Sequence, residues 1–177
     1  KKLLSIAPFF IISSLVNSIW IFLWHYNQPV LSVIAMLILL LSLIFIYLKL
    51  DIGKSQVSKI EKFAVHIPFS IYLGWVSVAT ITNITVALYV LKWDGFGIAG
   101  STWAALLVVI AAILGLISLF QRNDYAYILV IAWAIWGIYV KFPKIDMFSA
   151  VTLFSGIMIL LIIIYKFLMR NQIKLKP

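Results

Sequence analysis

Apolar residues fill six long stretches of the chain, Leu3 to Trp24, Val30 to Leu48, Phe63 to Leu91, Ile98 to Phe120, Tyr125 to Val140 and Met147 to Met169. Polar residues gather in the short connections between them, and no Asp, Glu or Arg stands in the middle of any stretch. A helix rises about 1.5 Å per residue and the hydrocarbon core of a bilayer is about 30 Å thick, so about 20 apolar residues cross it. The stretch from Tyr125 to Val140 is the shortest and the least secure as a span. Strands are excluded because unpaired backbone groups are too costly in hydrocarbon and because barrel strands alternate in polarity, which these stretches do not. The pattern predicts an all-α protein, a polytopic transmembrane helical bundle of six spans, with residues 1–177 forming a single transmembrane domain.

Composition points the same way. Hydrophobic residues make up 65% of the 177, and the mean hydropathy is +1.16, far from the roughly even apolar fraction of soluble domains. Charge then supplies an orientation, because loops rich in Lys and Arg stay in the cytoplasm. One side of the membrane receives Lys1, Lys2, Lys49, Lys54, Lys59, Lys62, Arg122, Lys166, Arg170, Lys174 and Lys176, and the other only Lys92, Lys141 and Lys144. Both termini are therefore expected in the cytoplasm, with the protein in the cell membrane. The net charge of +9 reflects this basic rim facing lipid headgroups, and no nucleic-acid partner is expected. The absence of cysteine rules out disulfides, thiolate metal sites and a cysteine nucleophile. The chain opens on Lys1-Lys2 rather than Met, as expected of a processed or trimmed piece of something longer.

The polar residues inside the spans carry the remaining information. Asn17, in Leu15-Val16-Asn17-Ser18-Ile19-Trp20, needs a partner on another helix or a ligand, because a bare carboxamide is costly in lipid. The second span, with Met36 to Leu41 uninterrupted, reads as scaffold facing lipid, and so does the sixth. In the third span Tyr72, Trp75 or Val76, Ala79 and Asn83 step by three or four along one stripe. Ala79 leaves a gap between the Trp75 ring and the Asn83 amide, which suits either a flat ligand or close helix packing. Asn17 lies roughly 21 Å along its helix from Leu3 and Asn83 roughly 22 Å from Pro68, so the two amides can be level. Pro68 stands either at the start of the third helix or at a kink in a helix that begins before His66.

The fourth span repeats small residues at intervals of four, Gly97, Ser101 and Ala105, Gly100 and Ala104, and Ala111 and Gly115. Such a stripe places this helix centrally or at a homo-dimer seam. In the fifth, Trp133 and Trp136 fall deep in the membrane, away from the interfacial belt where Trp24 and Trp93 are expected to anchor, and their indoles call for an acceptor or a ligand face. Catalysis has little support, since Asp51, Glu61, Asp94, Asp124 and Asp146 all fall in loops or at helix ends, and the protein is not expected to be an enzyme. No metal site is expected: His66 is read as a boundary residue, with His25 in the opposite loop. An ion-coupled transporter needs an intramembrane charge that these spans lack.

Two strings carry a resemblance. Leu15-Val16-Asn17-Ser18-Ile19-Trp20 resembles the "LN-x-x-W" segment, and Tyr72-Leu73-Gly74-Trp75-Val76-Ser77-Val78-Ala79-Thr80 with Asn83 resembles the "PYLxWVxFAxxLN" segment, of the TspO/MBR (translocator protein) family of tryptophan-rich sensory proteins. The resemblance covers roughly Leu15 to Asn83. It implies that Asn17, Trp20, Trp75, Ala79 and Asn83 line a pocket for porphyrins, sterol-like lipids or aromatic ligands. Ile71 replaces the family's proline before Tyr-Leu, and the nearest proline is Pro68. The family's first two helices have no counterpart before Lys1, and three helices follow Leu91, as in a larger subtype with added C-terminal helices that has lost N-terminal ones.

The expected function is binding or sensing of a flat hydrophobic molecule, a tetrapyrrole such as haem or protoporphyrin or a lipid, linked to its transport. Asn17, Trp20, Tyr72, Trp75, Ala79, Asn83, Trp133 and Trp136 are the candidate ligand-binding residues, and membrane lipids the other partners. The alternative is a structural or permease-like membrane subunit in which the same residues serve packing alone. The charge count predicts that a phosphatase reporter, active only outside the cytoplasm, is silent when inserted beside Ser55 and active beside Trp93; activity at Ser55 would invert the orientation.

Overall fold

The computed structural model describes residues 2–143 and 146–174. Lys1, Lys144 and Lys176, which entered the charge asymmetry, lie outside the described residues. The described residues form six long helices: α1 Lys2–His25, α2 Pro29–Lys49, α3 Lys59–Val90, α4 Gly100–Arg122, α5 Tyr125–Lys141 and α6 Met147–Lys174. All but α5 are long and apolar enough to cross a membrane. At 17 residues α5 is about 26 Å long, just short of a bilayer's hydrocarbon core.

The chain folds up and down, with short connections that force neighbours antiparallel. Helix α2 packs between α1 and α3, α3 packs on α5, and α5 packs on α4 and α6, which also pack on each other. The core follows this order: Leu39, Leu43 and Ile46 of α2, Leu73 and Val76 of α3, Ile128, Ile131 and Ile135 of α5, and Ile159 of α6 are buried. Outward faces carry Phe22, Phe45, Ile113, Phe154 and many other large apolar side chains, as a surface solvated by acyl chains requires.

The second helix departs from its expected role. Rather than facing lipid as scaffold, α2 buries Ser32, Ala35, Met36, Leu39, Ser42, Leu43, Ile46 and Tyr47 between its neighbours. Lipid tails are as apolar as Leu, so hydropathy alone does not separate a core face from a lipid face. The small residues of α4 behave as seam formers inside one chain: Ala111, Ala112 and Gly115 are buried, and a side chain at Gly115 would meet Ile128 and Ile131 of α5. Gly74 has the same use on α3, where the carbonyl of Tyr127 and the side chain of Val130 lie 3.2 Å from the position of a Cβ.

At the end of the bundle that holds most of the lysines, two connections interlock. The Arg122 guanidinium pairs with Asp51 at 3.3 Å and donates to the Ile52 carbonyl at 3.2 Å. Gly53, at φ +84°, lets the α2–α3 connection press on α4, because a Cβ there would sit 1.9 Å from the Arg122 carbonyl oxygen. At the opposite end Trp93 packs on Phe96 and Trp103, and Trp103 donates to the Gly95 carbonyl at 3.0 Å. Both the collision and the left-handed backbone predict that Gly53→Ala lowers stability by about 2 kcal/mol or more. Gly137, with nothing near its Cβ position, serves as control: Gly137→Ala is neutral or slightly stabilising in thermal unfolding, and equal melting of the two variants would refute the contact.

Candidate functional site

Two features of α3 build the site. The first is its opening turns. The helix starts at Lys59, capped by the Ser58 hydroxyl, which accepts from the Glu61 N–H at 3.1 Å. Residues Lys62–His66 then form a π-helical turn in which the Ile67 N–H reaches the Lys62 carbonyl. Pro68 explains the widening: it has no N–H to give to the Ala64 carbonyl, and its ring pushes that carbonyl aside. Of the two placements open for Pro68, the one inside a helix that begins before His66 is observed.

This widened segment faces α1 across a cleft of about 580 Å³, lined by Ile6, Ala7 and Phe10 of α1 and by Ala64, Pro68, Phe69 and Tyr72 of α3. Phe10 meets Phe69 edge to face, with centroids 6.1 Å apart. The walls are apolar and aromatic, and the Tyr72 ring supplies the phenol.

The second feature lies toward the other end. Asn83 is only 2% exposed, and its amide is fully engaged. Trp20 of α1 donates its indole N–H to Oδ1 at 2.7 Å, and Nδ2 donates to the Ser32 hydroxyl at 2.8 Å and to the Pro29 carbonyl at 3.4 Å. Ser32 in turn donates to the Pro29 carbonyl at 2.7 Å. One carboxamide therefore ties α1, α2 and α3 together. The partner of Asn83 on α1 is Trp20, not Asn17 one turn earlier; Asn17 is half-buried, and no hydrogen bond joins it to Asn83 among the described residues.

The predicted stripe on α3 is thus divided among three surroundings. Tyr72 lines the cleft, Ala79 packs partly buried against the core, and Asn83 sits in the three-helix junction. Trp75 turns outward. It is 48% exposed, Trp133 63% and Trp136 54%, and Trp75 packs on Trp133 with centroids 5.4 Å apart. Trp136 packs on Tyr139 at 5.8 Å. These indoles form an outer face of α3 and α5, and none of them lines the cleft between α1 and α3.

A polar junction at the lysine-rich end was not anticipated. The Asp124 carboxylate is buried and caps α5, accepting from the N–H groups of Ala126 and Tyr127, each at 3.1 Å. It also accepts from the hydroxyls of Tyr47 on α2, at 2.8 Å, and Ser70 on α3. Close by, Tyr127 donates to Ser77 at 3.0 Å. An Asn-Asp pair directly before an apolar run is a helix-start signal, so the cap was legible; its tertiary donors, single hydroxyls in apolar helices, were not. His66 is buried on the same helix as Ser70.

A family model described as a TSPO-like protein matches residues 1–168. The match runs through α4 and α5 and most of α6, well beyond the two segments at Leu15 to Asn83. No curated protein and no solved structure matches the chain. The junction at Asn83 predicts that Trp20→Phe and Asn83→Leu are coupled: each alone lowers stability, and the double-mutant cycle in detergent or bicelles returns an interaction of about 1 kcal/mol. Strict additivity would show that the indole and the amide do not interact.

Proposed function

The chain belongs to the TSPO-like family, as a multi-helix membrane protein, and from that premise we propose that it binds a flat hydrophobic ligand, a tetrapyrrole or a lipid, in the cleft between α1 and α3 in the cell membrane. The observation that carries this reading is the cleft itself. Its volume of about 580 Å³ falls within the range of about 300–1,000 Å³ typical of small-molecule sites. Its lining offers ring faces from Phe10, Phe69 and Tyr72 for stacking and one phenol for orientation. It lies between two helices that are each long and apolar enough to cross a membrane.

Binding here asks nothing of Asn83, whose hydrogen bonds are used within the protein. Asn83 and Trp20 support the site by fixing α1 against α2 and α3. Trp75, Trp133 and Trp136 belong to a different face. The saturation of Asn83 also favours the second reading, a structural or permease-like subunit in which polar groups serve assembly alone, and ligand binding separates the two.

Protoporphyrin added to the purified protein is expected to quench its tryptophan fluorescence saturably. Ala64→Trp, which fills the cleft without removing a core side chain, weakens binding by about tenfold or more, whereas Trp136→Phe leaves the affinity unchanged. Quenching that is unsaturable, or equal in Ala64→Trp and the parent, would contradict the cleft as the site and favour the structural subunit.

A further inference from the structure

Of the seven tryptophans, four have their indole N–H provided for. Trp20 donates to Asn83 and Trp103 to the Gly95 carbonyl, while Trp24 and Trp93 stand at the ends of α1 and α3, at headgroup level. Trp75, Trp133 and Trp136 differ, because among the described residues none of them donates a hydrogen bond. Trp133 is the middle residue of α5, about 12 Å from either end. Trp75, packed on it, shares its depth, and Trp136 lies less than one turn beyond. Lipid carbonyls begin only at the edge of a hydrocarbon core about 30 Å thick, so they do not reach the middle of α5. An N–H without an acceptor there is costly.

The indoles also belong to a seam pattern. Leu129, Trp133, Trp136 and Val140 are each half or more exposed, and they step by four, three and four along α5, the spacing with which one helix packs along another. Ile71 and Trp75 of α3 extend this uncharged surface. Helix α5 is the shortest of the six long helices, and association with protein relieves the mismatch of a short span with the bilayer.

We propose that two copies of the chain associate through this surface, α5 against α5, about a two-fold axis along the membrane normal. Copies inserted in one orientation close into a pair only about such an axis, which sets each stripe residue at the depth of its own equivalent. Each copy then brings to the midplane both indole N–H donors and the ring faces that accept them. A phospholipid carries its acceptors at the wrong depth, and a neutral stripe meets no like-charge repulsion on pairing with itself. No residue of the stripe lines the cleft between α1 and α3, so the pairing stands apart from ligand binding.

The test is energy transfer between copies of the full chain, labelled at Gln56→Cys in zwitterionic vesicles, as added lipid dilutes the protein. Transfer is expected to exceed that of random proximity and to fall along a monomer–dimer curve. Trp133→Leu with Trp136→Leu, exposed positions that stay apolar, weakens association by about tenfold or more with helix content unchanged. Phe154→Leu, on the exposed face of α6, changes nothing. In separate variants an oxidant is expected to link Val140→Cys into a disulfide dimer and to leave Phe154→Cys monomeric. Transfer at the random level overturns the proposal and leaves the indoles to lipid. Association unchanged in the double tryptophan variant, or cross-linking at Phe154→Cys alone, overturns it in favour of another seam.

Discussion

A carboxamide inside a bilayer must have its hydrogen bonds met by protein, since the surrounding acyl chains offer none. Asn83 meets this constraint by drawing on two other helices, the indole of Trp20 from α1 and the Ser32–Pro29 pair at the start of α2. The consequence reaches beyond the junction. Helix α1 packs chiefly on α2, and Trp20 is one of its few direct ties to α3. With α1 held there, its other half meets α3 through Phe10 and Phe69 and leaves the cleft between Ile6, Ala7 and the Ala64–Tyr72 segment.

Helix α3 is fixed a second time at its opposite end. Asp124 gathers Tyr47, Ser70 and the first turn of α5 around one buried carboxylate. The positive end of the α5 dipole and four donors offset the cost of burying that charge. Between the two junctions, Gly74 lets α3 approach α5 closely. The π-helical turn before Pro68 brings Ala64 to the lining of the cleft. Widened turns of this kind are frequent at functional sites because they displace side chains without breaking the helix.

The sequence made the architecture readable, since the length and apolar content of each stretch follow from bilayer thickness. Its limits appear at particular residues. The depth argument placed Asn83 level with Asn17 to within a turn, and the observed partner, Trp20, is one turn away; a helical repeat fixes height better than azimuth. Trp75 was placed inward because it shares a stripe with Asn83, yet the stripe is wide enough for Trp75 to reach the outer face beside Trp133. Helix α2 hid its central position behind uniform hydropathy. Asp124 showed its capping role in the chain, but the hydroxyls of Tyr47 and Ser70 that complete the junction are brought to it only by the fold.

What results is a membrane bundle in which Trp20, Ser32 and Asn83 at one end and Tyr47, Ser70 and Asp124 at the other tie helices together, with an aromatic cleft left at one side. The central claim is that a flat ligand occupies that cleft and not the tryptophan face of α5. Because the chain has no cysteine, a single Ala64→Cys or Gly137→Cys variant reports on each surface without background. The account predicts that bound protoporphyrin slows alkylation at position 64 and leaves position 137 untouched; protection at 137 with none at 64 would contradict it.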